Sequence, residues 1–128
     1  MYARTAVTST SYWMGEFLPS RENGESAISL YDRERHRPLA FRYGFDAGVV
    51  LLSYTALALW HLGYPDQALK RGNEALALAQ TLSHPFNLAF ADLPSCFSTF
   101  CVNIGATPFR WTVLGLRLGF LFAGSFRS

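Results

Sequence analysis

The sequence predicts an all-α chain of stacked antiparallel helical hairpins, a short solenoid. Three observations carry this. The stretch Gly48 to Leu62, GVVLLSYTALALWHL, is apolar on nearly every side and free of proline. Its length favours a buried helix over a strand. A second run, about Pro65 to Leu82, follows after a tight Gly-Tyr break and has one apolar stripe and one wet side. Gly15–Asp32, GEFLPSRENGESAISLYD, then pairs with Gly63–Gln80, GYPDQALKRGNEALALAQ, at an offset of 48 residues. Gly15 aligns with Gly63, Gly24 with Gly72, Ala27 with Ala75 and Leu30 with Leu78, while Ile28 against Leu76 is a conservative match. A fixed internal offset is the mark of a repeat architecture.

Taken in order, Met1 to Met14 is rich in Thr, Ser and Tyr and lacks the apolar core of a signal peptide. It reads as the middle of an element, as in a fragment. The weaker copy of the repeat follows. Arg33 to Asp46, RERHRPLAFRYGFD, reads as an inter-repeat loop with at most a short helical turn. Gly63 ends the helix over 48–62, because glycine accepts the left-handed conformation at a helix C-terminus. Pro65 suits the first turn of the next helix, where its missing N–H costs nothing. Asp66 complements the dipole there. Ala68, Leu69, Ala75, Leu76, Leu78 and Ala79 form the apolar stripe, with Lys70, Arg71, Asn73 and Glu74 opposite. Ala56, Ala58, Ala68 and Ala75 let the two helices approach closely. Ser83 is placed to cap and Pro85 to open a third helix, from Phe86 to about Leu93.

Residues 1–91 therefore form the repeat region, and residues 92–128 a divergent apolar tail, a degraded third repeat. Asp92-Leu93-Pro94-Ser95-Cys96 breaks the helix before it. The tail's charges are Asp92, Arg110, Arg117 and Arg127 alone. Such a shift in composition is what a changed reading frame would give.

The 128 residues fit one domain. A formal charge of +2 is too small to point to nucleic acid or an anionic membrane. Arg33, Arg35, Arg37 and Arg42 are diluted by Asp32, Glu34 and Asp46, so they read as a solvated, salt-bridged stretch. Cys96 and Cys101 lack metal-site spacing and fit reduced thiols of a cytoplasmic chain. His36, His61 and His84 fall in three different elements, which gives no metal site. No cofactor is implied. Residues 111–126, WTVLGLRLGFLFAGSF, are shorter than a membrane span, with Arg117 in the middle. There is no P-loop, nucleophile elbow, H-E-x-x-H or paired carboxylate motif. The reading is therefore not an enzyme.

The stretch LWHLGYPDQALKRGNEALALA has the Leu-Gly, Ala-Leu, Ala-Leu spacing of a tetratricopeptide repeat, a helix–turn–helix of about 34 residues. The inserted connector accounts for the excess over that length. More narrowly, Tyr31–Ala91 resembles the C-terminal repeat region of large bacterial signalling proteins. In those proteins a nucleotide cyclase or kinase domain and an AAA-type ATPase precede tetratricopeptide-like repeats. A fainter likeness reaches back to Trp13. The catalytic domains have no counterpart here. The resemblance implies a protein-interaction scaffold or regulatory repeat segment of a larger ATPase-linked signalling protein.

In such arrays the first helix of each hairpin lines the groove that holds partners. Ser53, Leu57, Trp60 and His61 share one face of the helix over 48–62. They are the candidate partner-binding residues, with packing against a neighbouring repeat as the alternative. The partner is a protein, or other domains of the parent protein. Two other readings stay open. One is a small-molecule sensor, which a closed cavity near Trp60 would favour over an open groove. The other is a non-functional gene remnant. About two and a half repeat units predict marginal stability, an exposed apolar end and self-association.

Overall fold

The computed structural model describes residues 1–94 and Cys96. Within them the chain forms six helices and no strand. These are α1 (Tyr2–Trp13), α2 (Phe17–Ser29), α3 (Arg33–Tyr43), α4 (Ala47–His61), α5 (Pro65–Leu82) and α6 (Pro85–Ala91). Most of the tail, including Cys101 and the apolar stretch over 111–126, lies outside the described residues.

The hydrophobic run becomes the central helix. Every residue of α4 from Ala47 to Leu59 is buried except Tyr54. α1 packs on α2 and α4 on α5; α1 and α2 both meet α4, and α4 and α5 both meet α6. Val49 and Leu52 of α4 join Ala75, Ala79 and Ala91 in the main apolar cluster, flanked by Ile28, Leu76, Leu78, Leu82 and Leu88.

The 48-residue offset extends to individual hydrogen bonds. Gly15 and Gly63 have φ of +81° and +88°. Gly15 N donates to Tyr12 O, and Gly63 N to Trp60 O. Glu16 N donates to Ser11 O, and Tyr64 N to Leu59 O, both at 2.9 Å. Left-handed glycine lets the chain reverse while these last carbonyls stay paired. Gly24 with Gly72, and Ala27 with Ala75, are buried in both copies. Glu25 of α2 accepts two hydrogen bonds from the Arg71 guanidinium of α5, with Nε···Oε1 at 3.0 Å. Arg71 also reaches Glu74, so part of the side expected to be wet is half-buried.

Three expectations are corrected. Arg33–Tyr43 is a helix and not a loop. The Asp32 carboxylate accepts from Glu34 N and Arg35 N, and Gly44 at φ +77° ends the helix. The Asp32 cap starts this helix although Pro38 lies inside it. The region before Gly15 is helical over Tyr2–Trp13. Second, Ser83 closes α5 instead of capping α6. It adopts φ +51°, and its N–H donates to Ala79 O. Third, Leu69 is exposed. The buried stripe of α5 runs through Ala68, Gly72, Ala75 and Ala79, at i, i+4, i+7 and i+11. Leu69 points aside from it.

The two equivalent glycines differ in surroundings. A Cβ on Gly24 would run into Thr55 Oγ1, whereas one on Gly72 would meet only Pro94 Cβ at 3.4 Å. Gly→Ala in a helix ordinarily stabilises by about 0.4–1 kcal/mol. Gly72→Ala should follow that rule. Gly24→Ala should instead destabilise by about 1–3 kcal/mol, as overpacked sites do. Adding Thr55→Ala should recover part of the loss. Urea melts of the three variants check this.

Candidate functional site

Asp46 sits at the N-terminus of α4 and is fully buried. Its Oδ1 accepts from Val49 N at 3.1 Å. The Tyr31 hydroxyl donates to both carboxylate oxygens at 3.0 Å. The Asp46 backbone N–H donates to Asn87 Oδ1 of α6, also at 3.0 Å. Burial, and the Asp46 charge beside it, push the Tyr31 phenol well above its ordinary range. This network fixes the turn that carries Tyr43 and Phe45. Tyr2 OH donates to Phe45 O at 3.3 Å, and its ring lies 4.4 Å from that of Tyr43 and 5.4 Å from that of Phe45.

These rings form one end of an open groove of about 420 Å³. α1 supplies Tyr2, Thr5, Ala6 and Ser9, α4 supplies Val50 and Tyr54, and α6 supplies Phe86 and Phe90. Phe86 stacks on Phe90 with centroids 5.9 Å apart, and Phe90 meets Tyr54 edge-on at 5.5 Å. Trp13 Nε1 donates to Tyr54 OH at 3.0 Å, which fixes that ring at the groove wall. Burial raises the pKa of both Tyr54 and Tyr2, so the phenols stay neutral at pH 7. Among the described residues no charged side chain lines the groove. Thr5 and Ser9 spend their hydroxyls on the carbonyls of Met1 and Ala6.

The four residues singled out from sequence lie elsewhere on α4. Ser53 is fully buried and donates to Val49 O at 2.8 Å. Leu57 is buried as well. Trp60 is half-buried, and its ring N–H is enclosed without an acceptor among the described residues. His61 stacks on Phe17, centroids 4.4 Å apart, and meets Tyr12 edge-on at 5.6 Å. Ser53 and Leu57 are therefore covered by the chain's own packing, and His61 packs on the preceding hairpin. The groove uses Val50 and Tyr54, on the adjoining side of the same helix. One signal pointed to Asp46: an aspartate directly before an apolar run marks a helix start. Nothing local in the sequence marked Tyr2 or Phe90, which reach the groove only through packing.

Among the described residues no three His, Cys, Asp or Glu side chains converge as metal ligands would. His36 stacks on Tyr31 instead, at 5.6 Å. No single described helix is long and apolar enough to cross a membrane. Compared with protein-family models, with curated proteins and with solved structures, the chain matches none.

Two titrations test the packing. Burial lowers the His61 pKa from 6.5, against the Leu57 carbonyl, which raises it. The folded state thus resists protonation. The contribution of His61 to stability is complete above pH 6.5 and is lost as pH falls below it. His61→Phe keeps a ring on Phe17 and should flatten the acid limb of the stability profile. Tyr31 is the opposite case. Its raised folded-state pKa gives stability that is present below pH 10 and lost as pH rises above it. Tyr31→Phe leaves a buried carboxylate short of a donor and should cost about 1–3 kcal/mol at pH 7. That difference should shrink above pH 10.

Proposed function

We propose that this chain is a protein-interaction module of tetratricopeptide type that grips an apolar segment of a partner protein in the groove between α1, α4 and α6. The observation that carries the reading is the origin of the groove. Its walls come from α1 and α4, the first helices of the two described hairpins, and from α6, with Tyr2, Tyr54, Phe86 and Phe90 lining it and Tyr43 and Phe45 at one end. The starts of α4 and α6, at Ala47 and Pro85, are 38 residues apart. That is near the repeat length of about 34. The longer spacing between α1 and α4 is taken up by α3. On this reading the chain acts as a scaffold or regulatory segment of a larger ATPase-linked signalling protein, in the cytoplasm of a bacterium. It works by burying apolar surface, without bond chemistry.

A second reading is a sensor for a small apolar molecule. The groove volume favours it, because about 300–1,000 Å³ is the range of ligand pockets. The open form of the groove, and its distance from Trp60, favour a peptide.

Panning a random peptide library on the full chain decides between them. The expected result is enrichment of peptides with aromatic or aliphatic anchors. Tyr54→Ala and Phe90→Ala should each weaken their binding about tenfold or more, equivalent to roughly 1.4 kcal/mol. Trp13, hydrogen-bonded to Tyr54, gives a fluorescence readout, and thermal melts show that the variants fold. No enrichment, or binding indifferent to both substitutions, counts against the proposal. Saturable binding of a small apolar compound without peptide enrichment favours the sensor.

A further inference from the structure

The internal repeat identifies a second interaction surface, on the outer side of α1. Shifted by 48 residues, Ala3, Val7, Thr10 and Met14 of α1 correspond to Leu51, Thr55, Ala58 and Leu62 of α4. In both helices these positions fall at i, i+4, i+7 and i+11, on one face. On α4 this face is closed. Leu51, Thr55 and Ala58 are fully buried, and Thr55 is pressed against Gly24 of α2. α2 carries a stripe of small buried residues here, Ser20, Gly24 and Ala27, of which Gly24 meets Thr55 and Ser20 donates to Thr8 O of α1. On α1 the same face is open. Ala3 and Thr10 are exposed, and Val7 and Met14 are 49% and 66% exposed.

We infer that the face formed by Ala3, Val7, Thr10 and Met14 docks a further helical hairpin, built as α1 and α2 are. The docking helix presents small residues at i, i+4 and i+7, the spacing of Ser20, Gly24 and Ala27 on α2. The contact continues, one unit further, the interface that the chain already builds between its own hairpins. The described residues of a second copy have no such stripe to offer. Ser20, Gly24 and Ala27 are already buried, with Ser20 bonded to Thr8 of α1 and Gly24 against Thr55 of α4. Ala68, Gly72 and Ala75 are buried as well, with α6 packed on α5 and Pro94 against Gly72. The inference rests on the repeat and not on the groove, whose α1 residues, Tyr2, Thr5, Ala6 and Ser9, occupy a different side of the helix.

The test places residues 1–48 in tandem ahead of the full chain. The junction is in register: Asp46-Ala47-Gly48 runs into Met1-Tyr2 as it normally runs into Val49-Val50. The added α2 then reaches the outer face of α1 at the high effective concentration of a linked partner. The expected result is a single melting transition, raised by about 5 °C or more, with α1 amides more protected from hydrogen exchange. Val7→Asp in the second unit should abolish both gains, yet leave the unmodified 128-residue chain unchanged. An unchanged midpoint with no added protection overturns the proposal. So does a large loss of stability from Val7→Asp in the unmodified chain, because the face would then already be covered. A dimer of the unmodified chain that Val7→Asp dissociates also overturns it, since the occupant is then a second copy. Peptide binding measured on the same proteins keeps the groove separate: its loss with the tandem gain intact bears on the proposed function alone.

Discussion

A buried carboxylate holds the structure together where three segments meet. Asp46 has no contact with solvent, and an ion so placed is tolerable only when hydrogen bonds and local dipoles replace water. The N-terminus of α4 supplies the dipole and the Val49 amide. The Tyr31 hydroxyl supplies a shared donor from the connection between α2 and α3. Asn87 of α6 holds the Asp46 backbone from the far side. Gly48 is part of the same arrangement. A Cβ there would stand 2.7 Å from Tyr31 Cζ and displace the ring that carries the donor. From this point the direction of α4 and the position of Phe45 follow, and Phe45 connects Tyr2 to Phe86 across the groove. Core and groove therefore share one anchor.

The packing of the hairpins depends on an economy of size. α4 is buried almost all round, so its neighbours must come close on several sides. Small residues allow this: Gly24 and Ala27 of α2, and Ala68, Gly72, Ala75 and Ala79 of α5. The close approach at Gly24 leaves the hydroxyls of Thr8 and Thr55 enclosed without partners among the described residues. Buried hydroxyls of this kind weaken a core. The equivalent of Thr8 in the second unit is Ala56, which is apolar and buried. The first hairpin is accordingly the more polar copy of the same packing scheme, with Thr5, Thr8 and Ser11 inside. This is also why the repeat is faint in its sequence before Tyr31.

The second hairpin was legible in the sequence because each of its signals is local and strong. Apolar composition set α4, Gly63 ended it, and Pro65 began α5 at the residue where the helix starts. α3 was obscured by Pro38 and by a charge density that reads as solvated loop, although Asp32 carried a capping signal. It buries only Ala40, so it has almost no apolar stripe to announce it. The face of α4 was harder still. A helix apolar all round has no hydrophobic periodicity to mark which side meets which neighbour. Ser53 and Leu57 turned inward and Tyr54 outward for reasons set by α1, α2 and α6, which lie 41 residues upstream to 36 downstream of Tyr54 in the Trp13 and Phe90 contacts alone.

The groove itself arises from an alternation of large and small residues between the copies. Tyr2 of α1 corresponds to Val50 of α4, and Ala6 to Tyr54. The first helix of each hairpin thus contributes one large ring, but one turn apart, and the equivalent position on the other helix carries a smaller side chain. Equal side chains in both copies would either fill the space or leave it without walls. Phe86 and Phe90, four residues apart on α6, close the far side. None of these rings belongs to the cluster of Val49, Leu52, Ala75, Ala79 and Ala91 that packs α4 on α5. The side chains that shape the groove are thereby free to differ without disturbing that core, while Asp46 keeps the two in fixed relation.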